Sequence, residues 1–344
     1  MVWAHRIRAA VCAGIAAWPL GCAANDRQTY DAVDMVRAAF DRHAVVALGR
    51  AEGTGNETEF RLIARLLGDR RLRGRINDVV IECGNSRYQP LLDRYVFGGT
   101  VSRRQVQVVW RKTTQIFGCE ADRTTQMLVD FVRRLNDKKK QPRLRLLAAD
   151  PPIEWAAIHS RAQFDSFLSR RDESAANVIE TQVLRKQRRA LVIIGGAHLT
   201  RRPSVGSGTT ITMLLERKQP DATYVVYDVE DWSPFSKDIR ALVASWKSPA
   251  IVPVAGTALG RQGGETITAG DTMLKVGSKW LSVKNEYPGN TLAQLFDAVL
   301  YLGPAQRLRT VELKEPTDQP YARELQRIRS LAMGSAPEAS VKRP

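Results

Sequence analysis

Histidine and cysteine number only four each in this chain of 344 residues, and aromatic side chains make up 7% of it. There is no Gly-x-Ser-x-Gly elbow, no His-Glu-x-x-His, no Gly-Lys-Ser/Thr phosphate loop and no dinucleotide fingerprint, which removes the commonest hydrolase, zinc-protease, nucleotidase and dehydrogenase signatures. Gly260 to Gly264 is glycine-rich but lacks a strand-turn-helix setting. No cysteine spacing resembles a zinc knuckle, and beyond the first two dozen residues only His43, His159 and His198 remain, too few for a many-histidine metal centre. No internal repeat is visible. No basic stretch is interleaved with aromatics, so no nucleic-acid partner is expected.

What is present is an ordinary globular composition with an unusual charge. Hydrophobic residues make up 44% and charged residues 26%, enough to bury a sizeable core. Lys and Arg total 52 against 36 acids, a formal charge of +16. Such a surface attracts anionic partners, including an anionic envelope surface. The arginines are nevertheless scattered, as in Arg70-Arg71, Arg133-Arg134 and Arg201-Arg202, which favours solvated helix faces over one basic patch.

Residues 1–24 read as an export leader. Arg6 and Arg8 precede an apolar run over 9–20, too short to span a bilayer, and small residues follow. Leu20-Gly21-Cys22 is similar to the end of a lipobox, with Pro19 out of place. A lipoprotein anchored at Cys22 and a soluble periplasmic protein cleaved after Ala24 therefore both stay open. A single domain is expected over 25–332, with a disordered tail over 333–344. Cys83 and Cys119 remain in the domain; in an oxidising compartment they could pair, and buried free thiols are the alternative.

Within that domain, short apolar runs alternate with helical periodicity. Strands are expected at 44–49, 78–82, 144–150 and 190–196, with further strand-like runs at 224–227, 250–254 and 298–302. Helical patterns cover 27–40, 57–72, 87–95, 103–115, 127–135 and 171–186. This alternation predicts an α/β fold with a mostly parallel central sheet flanked by helices. In such sheets ligands bind beyond the carboxyl ends of the strands.

Polar residues collect at those ends. Strand one runs into Arg50 and Glu52, strand two ends on Glu82, strand three on Asp150, and strand four leads into His198. Buried singly, such groups would be costly, so they should meet each other, a ligand or a metal. Glu82 or Glu52 could act as a base on water with His198 as second acid/base, or the three could hold a divalent metal. Arg50, Arg111, Asp150, Arg171 and Asp172 are candidate ligand-binding residues, with Arg50 and Arg111 suited to hold an anionic small molecule. Each has a plainer alternative: a turn cap for Asp150, a surface pair for Arg111, a hydrogen-bonded loop histidine for His198.

The order of motifs resembles the bacterial superfamily that unites erythromycin-esterase-like hydrolases, ChaN-type haem-uptake proteins and Tiki-type proteases. The similar stretches are Val46-Ala47-Leu48-Gly49, Val80-Ile81-Glu82-Cys83-Gly84-Asn85, Asp93-Arg94-Tyr95, Val109-Trp110-Arg111, Asp150-Pro151-Pro152-Ile153-Glu154-Trp155, Arg171-Asp172 and Gly195-Gly196-Ala197-His198-Leu199. The resemblance implies an exported hydrolase acting on an ester or related acyl bond, with Glu82, His198 and Glu52 as its acid/base groups. It equally admits an inactive binding protein for an anionic small molecule or haem. The family's Gly-Glu-x-His motif is altered here to Gly49-Arg50-Ala51-Glu52, and a further expected histidine is Thr58. Arg50 carries a fixed charge and cannot serve as a base. Beside Glu52 and Glu82 it would be expected to pair with them and weaken them as bases.

Overall fold

The computed structural model describes residues 30–50, 57–119, 123–137, 143–229, 246–267, 272–276, 279–283, 285–304 and 318–334. The expected leader over 1–24, Cys22 within it, and Glu52 lie outside them. Among the described residues ten strands form: β1 Tyr30–Asp31, β2 Val45–Arg50, β3 Asp78–Asn85, β4 Arg145–Asp150, β5 Ala190–Gly195, β6 Thr223–Asp228, β7 Ala250–Pro253, β8 Thr272–Val276, β9 Lys279–Val283 and β10 Ala298–Tyr301. Eight of them make one sheet in the order β1-β7-β10-β6-β2-β5-β3-β4, and β8 pairs with β9 as a separate antiparallel hairpin. From β10 to β4 every neighbour is parallel; β7 runs antiparallel to both β10 and β1. The expected mostly parallel α/β sheet is what the chain forms, and the run near 250 is its antiparallel member.

β5 returns to lie between β2 and β3, after which β6 pairs on the far side of β2. The direction of winding thus reverses around β2 and β5, where such sheets open a crevice. The parallel strands are apolar almost throughout because helices cover both of their faces.

Side-chain alternation along each strand sorts the chain into two cores. Val46 and Leu48 of β2, Val79, Ile81 and Cys83 of β3, and Leu191 and Ile193 of β5 face α2 (Glu57–Gly68) and α6 (Arg123–Asn136). Val45, Ala47, Val80, Val192 and Ile194 face α8 (Arg171–Gln182), packing with Ala175, Ala176 and Ile179. A third, smaller core forms where the C-terminal helix Gln319–Met333 lies on Ile116, Ile153, Trp155 and Phe164.

The ends of elements differ from the periodicity in instructive ways. The first helix begins at Ala32 rather than 27, because the Asp31 carboxylate accepts from the Val33 and Asp34 N–H groups as an N-cap. The expected helix over 103–115 divides into Arg103–Val106 and Val108–Arg111, leaving Lys112 to Cys119 irregular. The helix over 171–186 closes at Gln182, followed by a single tight turn. Met333, expected in the tail, is the last residue of the C-terminal helix, and Gly334 caps it at φ +73°.

Candidate functional site

At the carboxyl ends of β3, β4 and β5 five titratable side chains converge, Glu82, Asp150, Arg171, Asp172 and His198. Glu82 has the same parity in β3 as Val80, so it projects to the α8 side of the sheet. Its Oε1 accepts from Arg171 at 2.7 Å and from the Gln115 side-chain amide; its Oε2 accepts from the Gly195 N–H at 2.8 Å. His198 sits on the single turn after β5 with Nδ1 2.6 Å from Asp172 Oδ1 and Nε2 3.9 Å from Glu82 Oε1. Arg171 and Asp172 open α8, so one helix start supplies both the cation for Glu82 and the carboxylate for His198.

Asp150, buried at the end of β4, accepts from the Thr114 N–H at 2.8 Å and from the Thr114 hydroxyl. Glu82, Asp150, Arg171, Asp172 and His198 line one small pocket of about 10 Å³, room for about a single water. Two glycines permit the crowding: a Cβ on Gly49 would sit 2.9 Å from the Gly196 Cα, and one on Gly196 would sit 2.7 Å from the Tyr227 ring.

The electrostatics follow from these contacts. Burial alone would raise Glu82, but the charges of His198 and Arg171 and the hydrogen bonds from Gln115 and Gly195 hold it below the usual glutamate range. Burial would likewise lower His198; the Asp172 hydrogen bond and charge, aided by Glu82, overcome this and raise it. Burial pushes Asp150 up to about 7 in spite of its two Thr114 hydrogen bonds and the charge of Arg171.

The remaining candidates are placed elsewhere. Arg50 shares its parity with Val46 and Leu48, so it projects to the α2/α6 side, where its Nε pairs with Glu59 Oε2 at 3.1 Å and it donates to Thr124. The expected pairing of Arg50 with Glu82 is therefore corrected: Glu82 pairs with Arg171. A second pocket, lined by Arg50, Glu59 and Thr124, touches Glu82 from that side. Arg111 is turned to the C-terminal helix, 3.9 Å from Asp318 and 4.9 Å from the Tyr321 ring centre, and does not join the cluster. Glu52 lies outside the described residues.

Thr114, Gln115 and the Gly195 N–H were not among the sequence candidates. They lie at the end of an expected helix and on a main-chain amide, where no residue-type pattern singles them out; the β-branched pair Thr113-Thr114, unfavourable to a helix, was the available hint.

A divalent metal does not fit the cluster. Among the described residues no group of three or more such side chains is arranged to hold one. Glu82 already accepts from three donors, and Asp172 is bound to the imidazole. Haem fits no better at His198, since one ring nitrogen is bound to a carboxylate and the other faces one.

No family model and no curated protein sequence matches the chain. Solved structures do. Erythromycin esterase EreC in its open conformation matches with a TM-score of 0.51 at 11% identity, over 81% of this chain and 94% of that one. The chain shares the esterase's fold. A succinoglycan biosynthesis protein matches with a TM-score of 0.52 at 9% identity, over 86% of this chain and 95% of the other. ChaN of Campylobacter jejuni, described with cofacially bound haem, is a looser likeness: TM-score 0.39, 14% identity, 59% of this chain and 87% of that one.

Proposed function

We propose that the chain is an exported hydrolase of a small-molecule ester or related acyl bond, with His198 moving the proton. The observation that carries this reading is the Asp172–His198–Glu82 line. Asp172 at 2.6 Å fixes the ring through Nδ1, and Nε2 lies 3.9 Å from Glu82 Oε1, beyond hydrogen-bond distance, beside the pocket that both residues line. A histidine so oriented takes a proton from water while its carboxylate stabilises the imidazolium formed. Among the described residues the pocket lining contains no serine, threonine or free cysteine, which favours direct attack by water over an acyl-enzyme. Arg171 is the guanidinium at the pocket and would face the charge that develops on the carbonyl oxygen. Glu82, held ionised, stabilises the imidazolium and is too weak a base for the water itself.

Fold likeness to the esterase supports the reaction class, and the charged-apolar-small order of the first two dozen residues supports export, as does the disulfide described below. The anion-binding alternative loses support, because Arg50 is matched by Glu59 and Arg111 by Asp318.

The test is an ester panel, macrolactones included, run on wild type, His198→Ala and the double change Arg50→Glu with Glu52→His. Wild-type turnover lost in His198→Ala is the expected result. Turnover in the double variant alone would replace this reading with a decayed enzyme.

A further inference from the structure

The irregular segment Lys112 to Cys119 is tied down along its whole length. Asn85 donates to the Lys112 carbonyl at 2.5 Å, Trp155 donates its indole N–H to the Thr113 carbonyl at 3.0 Å, and Arg329 donates to the Ile116 carbonyl at 2.9 Å. Its far end is covalently fixed: Cys119 forms a disulfide with Cys83, with 5.2 Å between the Cα atoms. Both sulfurs are buried in the α2/α6 core.

The position of that bond is informative. Cys83 directly follows Glu82 in β3, and Cys119 lies four residues after Gln115, whose side-chain amide donates to Glu82. The path from Glu82 through Cys83, the disulfide and residues 119 to 115 back to Glu82 is therefore a closed ring, shut by one hydrogen bond. A further polar contact of the segment, from Thr114, goes to Asp150, which lines the same pocket. Breaking the disulfide would release Phe117 to Cys119 from Cys83 and leave the Arg329 contact to Ile116 as a hold on that side of Gln115, with β3 still in the sheet.

We propose that Gln115 is a positioning residue for Glu82 and that the Cys83–Cys119 disulfide holds it there, so that the site is completed only in the oxidised chain. The inference concerns the same pocket as the proposed hydrolase and rests on that reading only for its link to turnover. Formation takes two electrons and two protons from the two thiols. A disulfide of an exchange partner accepts them and leaves as a dithiol. Such partners belong to oxidising compartments, in keeping with an exported chain.

The experiment needs no substrate. The full chain is labelled with ¹³C at glutamate carboxyls, the Glu82 resonance is assigned by its loss in Glu82→Gln, and its titration is followed by NMR. Gln115 is one of the groups holding Glu82 low, so removing it moves the midpoint upward. The expected result is an upward shift in Gln115→Met, in Cys119→Ser and in wild type after reduction, with circular dichroism showing each still folded. Gln115→Met keeps the disulfide and so reads the contact even where Cys119→Ser fails to fold. An unmoved midpoint in folded, reduced protein would overturn the tether. An unmoved midpoint in Gln115→Met would overturn the positioning role. A shift in a chain that hydrolyses no ester would leave this inference standing and count against the hydrolase.

Discussion

The two sides of the sheet each place an arginine against a glutamate at the strand ends, yet they are built for different ends. On the α2/α6 side Arg50 and Glu59 form a pair whose arginine keeps its charge at any working pH, within a core that also holds the disulfide. On the α8 side the corresponding pair, Arg171 and Glu82, adjoins a histidine that Asp172 holds above its ordinary value and a buried aspartate pushed up to about 7. A charge pair alone gives a fixed field; proton transfer needs a group whose protonation can change within the working range. The proposed hydrolysis therefore calls on the α8 side, with the other side as its support.

Substitutions test this contrast, the largest expected effect first. His198→Ala should lower kcat by about 10²- to 10⁴-fold, the usual range for a general base. Asp172→Asn should also lower the rate. It should move the rise of kcat/KM to lower pH, because Asp172 is what holds His198 above its ordinary value. A rise that stays put would separate Asp172 from the histidine. Removing the disulfide, which closes a span of 36 residues, should cost about 4 kcal/mol in thermal or denaturant unfolding.

Asp150 offers a pH-dependent comparison. Its folded value of about 7 exceeds its ordinary 3.8, so the native state binds that proton more tightly than the unfolded chain. Stability is accordingly withdrawn as pH rises from about 4 to about 7, by roughly 4 kcal/mol at most. Asparagine can still accept from the Thr114 N–H and donate to its hydroxyl. The Asp150→Asn chain should thus gain on wild type across that window and hold the gain above it, as urea titrations at pH 4 and pH 8 would read. On the α2/α6 side a double-mutant cycle of Arg50→Met and Glu59→Gln should give a coupling of about 0.5–3 kcal/mol in stability, while kcat stays within about threefold.

Much of this was legible in the residues. The buried strands and the sheet class followed from apolar runs between amphipathic stretches, and Glu82, Asp150 and His198 were visible as the polar residues that end those runs. What the one-dimensional pattern could not supply was the face each side chain takes once pairing fixes the sheet. Arg50 and Glu82 both lie at strand ends, but alternation in β2 and β3 sends them to opposite sides. Arg111 lay inside a motif, and only the seating of the C-terminal helix shows that Asp318 and Tyr321 claim it. Gln115 reaches Glu82 because a helix stops early at Arg111, a tertiary effect that local propensity does not encode.

The most direct test of the central claim sets the two sides against each other on one ester substrate, comparing pH–rate profiles of wild type, His198→Gln and the double variant Arg50→Met with Glu59→Gln. The account predicts a wild-type kcat/KM that rises through the elevated His198 value, is lost in His198→Gln and is kept in the double variant. Activity that survives in His198→Gln but disappears with the Arg50–Glu59 pair would contradict it and move the chemistry to the other face of the sheet.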